Sequence, residues 1–232
     1  MNLCVIPARG GSKRIPRKNI KEFCGKPMIA WSIEAAKASD CFDRIIVSTD
    51  DEEVAEVAKS YDAEVPFMRP PELSDDYTGT IPVINHAVDW VDQNAGPVNF
   101  ACCLYATAPL VQAEDLMNGF TLLQQSGADY AFSITNYASP IQRAIRITND
   151  QRVEMFNPDQ FNTRSQDLEE AFHDAGQFYW GRASAWLAGK PLFSHDAAPL
   201  ILPRHRVQDI DTEEDWMHAE LIAKALHERV SG

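Results

Sequence analysis

Short, wholly apolar runs alternate with helical stretches of roughly 10–15 residues, and this alternation constrains the fold more than any other feature of the chain. Leu3–Ile6 is closed by Pro7 and a glycine-containing turn. Arg44–Ser48 (RIIVS), Ala63–Met68, Asn99–Tyr105 (NFACCLY) and Asp129–Thr135 (DYAFSIT) repeat the strand pattern. Between them, Pro27–Lys37 (PMIAWSIEAAK), DDEEVAEVAKSY, Thr80–Asp92 (TIPVINHAVDWVD) and Glu114–Gln125 carry helical spacing. A proline opens the first helix. Thr49 or Asp50 caps the second, whose carboxylates then lie at its positive end. Strands that are apolar throughout require burial on both faces. The expectation is an α/β fold with a mostly parallel central sheet and helices on both sides.

The alternation stops between about Pro140 and Gly181. AIRITNDQRVEMFN reads as a hairpin turning at Asn149-Asp150, NTRSQDLEEAFHDAG as a polar stretch, and FYW (Phe178–Trp180) as a return to order. Within one domain spanning residues 1–232, a segment of this kind (about 140–180) is an inserted arm. The last periodic stretch, Thr212–Val230, is an amphipathic helix capped by Thr212, with Glu213, Glu214 and Asp215 in its first turn. There is no repeat, low-complexity tract or linker.

Charge narrows the function. The chain carries 34 acidic against 21 basic residues, a net charge of −13, which argues against general nucleic-acid or anionic-membrane binding. The five cysteines are odd in number and form no CxxC pair, and Cys102-Cys103 lie in an apolar run. They read as reduced, buried thiols of a soluble cytoplasmic protein. The longest apolar stretch, Phe100 to Val111, is interrupted by Thr107 and Pro109 and falls short of the ~18 residues of a membrane span. An acidic chain that binds an anion must do so with a local cluster of cations.

Such a cluster follows the first strand directly. PARGGSKRIPRKN (Pro7–Asn19) and its continuation hold Arg9, Lys13, Arg14, Arg17, Lys18, Lys21 and Lys26, opposed only by Glu22. Gly10 and Gly11 let backbone N–H groups converge on an anion, at the strand end where open α/β sheets bind ligands. The loop is read as a triphosphate cradle, its rival being a solvated basic loop. It is neither a Walker loop nor a GxGxxG turn, because Gly25-Lys26 precedes Pro27 and the glycines stand as Ala-Arg-Gly-Gly-Ser. Near the other end, Asp209-Ile210-Asp211 sets two carboxylates at i and i+2, pointing the same way in an extended segment. They suit magnesium shared with substrate phosphates, or are a solvated pair ahead of a helix cap. Third, His173 to Trp180 is a polar-aromatic run that either grips a sugar or packs as an edge strand. The six histidines accompany no nucleophile turn, so no Ser-His-Asp arrangement can be argued.

These residues carry a resemblance. IPARGGSKRIPRKN resembles the signature of the cytidylyltransferases that activate nonulosonic acids, the acylneuraminate family. CFDRIIVSTD (Cys41–Asp50), RPPELSDDYTGT (Arg69–Thr80), ATAPL (Ala106–Leu110) and VQDIDTEED (Val207–Asp215) resemble its other blocks in the same order, over essentially the whole chain. MFNPDQFNTRSQDLEEAFHDAGQFYWGR and LPRHRVQDID are similar to the branch acting on pseudaminic acid. Sialic-acid enzymes usually carry Gln-Pro-Thr-Ser-Pro-Leu-Arg where this chain reads Tyr105 to Val111, with a Lys near Gln142 and an Arg near His173.

The resemblance implies a Rossmann-like nucleotidyltransferase whose arm crosses to a second subunit of a homodimer. The reaction implied joins CMP from CTP to pseudaminic acid with release of pyrophosphate. Ala8, Arg9, Gly11, Ser12, Lys18 and Asn19 would hold the nucleotide's phosphates, with Lys26 behind them, and Arg69 and Thr80 would read cytosine. Asp209 and Asp211 would hold Mg2+; Arg9, Lys18 and Asp211 carry the catalytic roles. Arg143 and Arg164 are candidates for the sugar's carboxylate, with Tyr105, Gln142, His173, Gln177 and Tyr179 around its substituents. A family member acting on legionaminic, N-acetylneuraminic or a 3-deoxy-octulosonic acid would share the nucleotide residues and differ at Tyr105, Gln142 and His173. A non-catalytic nucleotide-binding module on the same fold is the remaining alternative.

Overall fold

β1 (Asn2–Pro7) leads into the basic loop, which ends in a hairpin of β2 (Glu22–Phe23) and β3 (Lys26–Pro27) ahead of α1 (Met28–Ser39). There follow β4 (Arg44–Ser48), α2 (Glu52–Ser60), α3 (Thr80–Asn94), β5 (Phe100–Leu104), α4 (Ala113–Ser126) and β6 (Tyr130–Asn136). An arm carries its own hairpin, β7 (Ile145–Ile147) with β8 (Val153–Met155), turning where expected. The chain returns through β9 (Phe172–Arg182), α5 (Ala183–Leu187), β10 (Ala197–Ile201) and α6 (Glu213–Val230). This is a computed structural model, and it describes residues 1–230.

Six strands form one sheet in the order β10-β6-β9-β5-β1-β4. All neighbours are parallel except β9, which runs antiparallel to both β5 and β6. The mostly parallel sheet is the one expected from the apolar runs. Two details differ. Residues 172–180, expected in the arm, belong to β9 (Phe172–Arg182) within the main sheet, which confines the arm to about 137–171. The reason is burial: Phe178 and Trp180 fill the core on one face while Tyr179 fills the other. Ala63–Met68 makes only isolated bridges, Ile46 to Glu64 and Thr49 to Met68, because Pro66 has no N–H to continue a ladder.

Strand alternation splits the interior in two. Cys4, Ile6, Cys102 and Leu104 face α1, α2 and α4; Leu3, Val5, Ala101 and Cys103 face α3 and α5. Cys4, Cys102 and Cys103 are free thiols, and burial pushes all three above the ordinary thiol range. The cap of α2 is Asp51, one residue beyond the expected pair; it accepts from Val54 N at 3.0 Å while Thr49 Oγ1 accepts from Asp51 N. Thr212 caps α6 as expected, in a reciprocal box: its Oγ1 accepts from Asp215 N at 3.2 Å, and Asp215 accepts from Thr212 N at 2.8 Å.

A third, smaller core decides where a site can form. Ile15 of the basic loop, Phe23 of β2, Leu110, Ile210 and Trp216 of α6 pack together, with Phe23 meeting Trp216 edge-on at 5.4 Å. This cluster pins the first motif of the chain against the last.

Candidate active site

The basic loop leaves β1 in register for one more residue, with Ala8 N donating to Ser48 O at 2.9 Å. Gly10 then passes so near α2 that an added Cβ would meet Asp51 Oδ2 at 2.5 Å, so no other residue fits without displacing the cap. Asn19 staples the loop shut: its Nδ2 donates to Arg9 O at 2.9 Å, and its own carbonyl accepts from Ile29 N.

The structure sorts the seven cations. Arg9, Lys13, Arg14 and Lys18 line a cleft of about 480 Å³ together with Ser12 and Asn19. The other three are structural. Arg17 makes a two-point contact with the Asp51 cap, which holds that carboxyl down at about 2. Lys21 pairs with Glu213 over the Trp216 ring, and Lys26 pairs with Glu34 over Trp31, away from the cleft. Gly11 has open space around it, and Ala8 is fully buried beneath the loop.

Arg69, Thr80 and Tyr105 line the same cleft. Arg69 is buried, which lowers its pKa, and one of its guanidinium nitrogens finds no hydrogen bond although Asp50 lies 3.8 Å away. A buried donor without a partner is a ready contact for a ligand oxygen. The Tyr105 hydroxyl lies 3.1 Å from Thr80 Oγ1, and burial raises it to about 12, so it stays a neutral phenol.

Two neighbouring acidic residues face these cations, Asp75 through its carbonyl and Asp76 through its carboxylate, and sequence reasoning singled out neither. Arg9 Nη1 donates to Asp75 O at 2.8 Å and to Asp76 Oδ1 at 2.7 Å, and Lys13 pairs with Asp76 as well. The Asp75 carboxylate accepts from Tyr77 N and Thr78 N, which folds the turn that presents Asp76. An anion entering the cleft therefore competes with Asp76 for two cations.

The far end of the cleft is where first and last motifs meet. Lys18 Nζ donates to Ile210 O at 2.6 Å and lies 3.5 Å from Asp211 Oδ1; Arg14 Nη1 lies 2.7 Å from Asp211 Oδ2. Partial desolvation, with Asp211's charge behind it, raises the Asp209 carboxyl above its usual range. Two crowded carboxylates are a fitting pair of donors for a hard divalent cation. Among the described residues no three His, Cys, Asp or Glu side chains gather to hold a metal alone. The remaining ligands would have to come from substrate and solvent.

What aims this pair is a contact that sequence reasoning missed. Arg206 forms an almost fully buried two-point ion pair with Asp115 at the start of α4, and its carbonyl accepts from Gln177 Nε2 at 2.6 Å. Nothing in the local sequence links residues 91 apart. Gln177 is thus inside the protein, holding this loop.

Of the other residues expected around a sugar, Tyr105 and His173 line a second cavity of about 480 Å³ that also contains Asp209. Tyr179 lines a neighbouring apolar cavity of about 350 Å³ with Leu192 and Phe193. Gln142 donates to Glu169 O, Arg143 to Thr163 O, and Arg164 pairs with Asp167. These three bond within the arm and line none of the three cavities.

Comparison with known proteins agrees with this geometry. The family model described as cytidylyltransferase matches residues 3–195. The chain is 44% identical over 227 residues, 98% of each chain, to a pseudaminic acid cytidylyltransferase of Campylobacter jejuni. It is 31% identical to a CMP-N,N'-diacetyllegionaminic acid synthase of Legionella pneumophila, covering 97% of both. In fold it matches a CMP:2-keto-3-deoxy-manno-octonic acid synthetase solved with CTP, at a TM-score of 0.71 and 16% identity over 97% of this chain and 98% of that one. The architecture is thus the Rossmann-like nucleotidyltransferase fold that the sequence blocks imply.

Proposed function

The chain belongs to the cytidylyltransferase family, and from that membership we propose that it joins CMP from CTP to the anomeric hydroxyl of pseudaminic acid, releasing pyrophosphate. The observation that carries the chemistry is the meeting of Lys18 with Asp211 across 192 intervening positions, at one end of a cation-lined cleft. The choice of sugar rests on the 44–45% identity to relatives named for pseudaminic acid.

The geometry supports the following division of labour. Arg9, Lys18 and the Ser12–Asn19 stretch hold the triphosphate in line, and Lys13 and Arg14 add charge at the rim. Arg69, with its unpartnered nitrogen, and Thr80 face cytosine. Negative charge grows on the phosphoryl oxygens and the leaving pyrophosphate as the sugar hydroxyl attacks, and cations already in place stabilise it without reorganisation. Asp209 and Asp211 would hold Mg2+. That ion supplies charge neutralisation at phosphate and a lower pKa for the attacking hydroxyl. In this reading the attacking hydroxyl's proton passes to solvent, or to Asp211, whose Oδ1 lies 3.5 Å from Lys18 Nζ.

We further propose one domain over residues 1–232 with an arm that pairs two copies into a homodimer. Ile145, Ile147, Val153, Phe156 and Phe161 are each more than half exposed on the arm, an apolar surface that a second copy would cover. We also propose a cytoplasmic location, supported by the composition and the free cysteines; among the described residues no helix is long and apolar enough to cross a membrane.

The test is product analysis. Protein incubated with CTP, magnesium and pseudaminic acid should give CMP-pseudaminic acid by mass spectrometry, in equal amount to pyrophosphate. CTP bound without any nucleotide sugar would overturn the enzymatic reading in favour of a binding module.

A further inference from the structure

A strand side chain and the one five positions later point to opposite faces, so Asp174 and Tyr179 should not meet. They do: the Tyr179 hydroxyl donates to Asp174 Oδ2. The reason is a bulge in β9. Phe132 pairs with Tyr179, so an unbroken antiparallel ladder would set Ile134 opposite Gln177, yet Ile134 pairs with Asp174. An odd number of residues is looped out, which turns Asp174 to the other face. Gly176, at φ +61°, makes the kink, and its N–H is held by Asp174 Oδ1 at 2.9 Å. Two donors thus fix the carboxylate from behind.

The bulge aims it at the two cavities beside the nucleotide cleft. Asp174 lines both the apolar one, with Phe193, and the polar one, with Asp209. Tyr105 lines both of these and the cleft, with its ring centroid 5.4 Å from that of Tyr179. Neither of these two cavities has a Lys or Arg in its lining. An ionised carboxylate only accepts hydrogen bonds, and Tyr179 and Gly176 leave it further lone pairs. It therefore favours an N–H or O–H donor and repels an anion.

We infer that Asp174 is a specificity-determining residue: its carboxylate accepts a hydrogen bond from a ring substituent of the sugar, an acylamino N–H or a hydroxyl, and so keeps the acid's own carboxylate turned away. This deepens the reading under Proposed function and rests on it. A sugar entered the other way round would bring its carboxylate against Asp174 with no cation between them.

The test compares wild type with Asp174→Asn on pseudaminic acid and on analogues in which each acylamino N–H is replaced in turn by an ester oxygen and each free ring-substituent hydroxyl in turn by hydrogen. In the variant the amide oxygen is claimed by the Gly176 N–H, which leaves an NH2 group toward the cavity. For wild type, one analogue should show a KM about 10- to 100-fold above the parent. Asp174→Asn should raise the parent's KM by a similar factor and lose the discrimination between parent and analogue. CTP affinity, read by calorimetry, should stay within about twofold, because Asp174 does not line the nucleotide cleft. An unchanged sugar KM in the variant, or discrimination that survives it, overturns the inference. Should the variant fail to bind CTP through misfolding, the wild-type analogue series decides: equal KM for parent and every analogue also overturns it. Wild type that releases no pyrophosphate with CTP and pseudaminic acid sinks the parent reading and this inference with it. Wild-type turnover with an indifferent variant sinks this inference alone.

Discussion

The proposed nucleotide side and the proposed sugar side of this molecule are built by opposite means. On the nucleotide side, four cations within ten consecutive residues meet the cleft, and a small aromatic core presses them onto the Asp209–Asp211 segment. On the sugar side, the cavities are lined from scattered segments, among them Tyr105, Phe193 and Asp209, and the carboxylate of Asp174 reaches them from β9, where a bulge rather than the sequence period chooses its direction. One side is a local concentration of charge that the fold has only to dock. The other is a set of directions that the sheet creates.

The comparison can be broken most severely at its hinge. Asp211→Asn should lower turnover by about three orders of magnitude while CTP still binds, since it would remove a proposed ligand of Mg2+ whose effect is on the transition state. Pyrophosphate release at saturating magnesium checks this; activity near wild type would separate Asp211 from the chemistry. Next in size is Arg206→Ala, which leaves Asp115 charged and buried without its partner. Urea unfolding should show a loss of about 3–5 kcal/mol. A loss under 1 kcal/mol would mean that the Asp209–Asp211 loop is held by something else.

Acid sharpens the description of the basic loop. The Arg17 contact depresses the folded-state carboxyl of Asp51 to about 2, against roughly 3.9 in an unfolded chain. A depressed carboxyl stabilises above its unfolded value, so the contribution is whole above about pH 4 and lost as pH falls through about 2. Asp51→Asn, which keeps an N-cap oxygen and removes the charge, should cost about 1–2 kcal/mol at pH 6, and the gap to wild type should narrow below about pH 4 and close as pH falls through about 2. A gap independent of pH would show that the hydrogen-bond geometry around Arg17, not the charge of Asp51, carries the effect. The smallest change expected is a gain. Asp76→Asn frees Arg9 and Lys13 from an exposed pairing, and should tighten CTP binding about two- to fivefold, less in high salt. Weaker CTP binding in this variant would mean that Asp76 supports the nucleotide instead of competing with it.

The same contrast explains what the sequence made legible. The αβ alternation, the free thiols, the Asn149-Asp150 hairpin and the Thr212 cap all rest on local pattern, and each appears in the structure, although of the five cysteines expected to be buried only Cys4, Cys102 and Cys103 are, Cys24 and Cys41 being partly exposed. The cation cluster was visible for the same reason, although only the fold could separate Lys18, at the cleft, from Lys26, stacked on Trp31. Arg206 with Asp115 could not be read, because nothing local ties a basic residue to a carboxylate 91 positions away. Asp76 looked like any solvated acidic turn. Asp174 lay within the His173–Trp180 run, but its meeting with Tyr179 was hidden by the bulge, since a strict two-residue period turns the two apart. The antiparallel course of β9 was hidden too, its polar start resembling the arm that precedes it.

The central claim is that this cleft activates a nonulosonic acid, and that its sugar side is shaped for pseudaminic acid. The most direct measurement is pyrophosphate release with CTP and magnesium, offered pseudaminic, legionaminic and N-acetylneuraminic acids in parallel. The account predicts fast release with pseudaminic acid and little with the other two. Equal or faster release with another of the three would contradict the sugar assignment, and silence with all three despite CTP binding would contradict the enzyme itself.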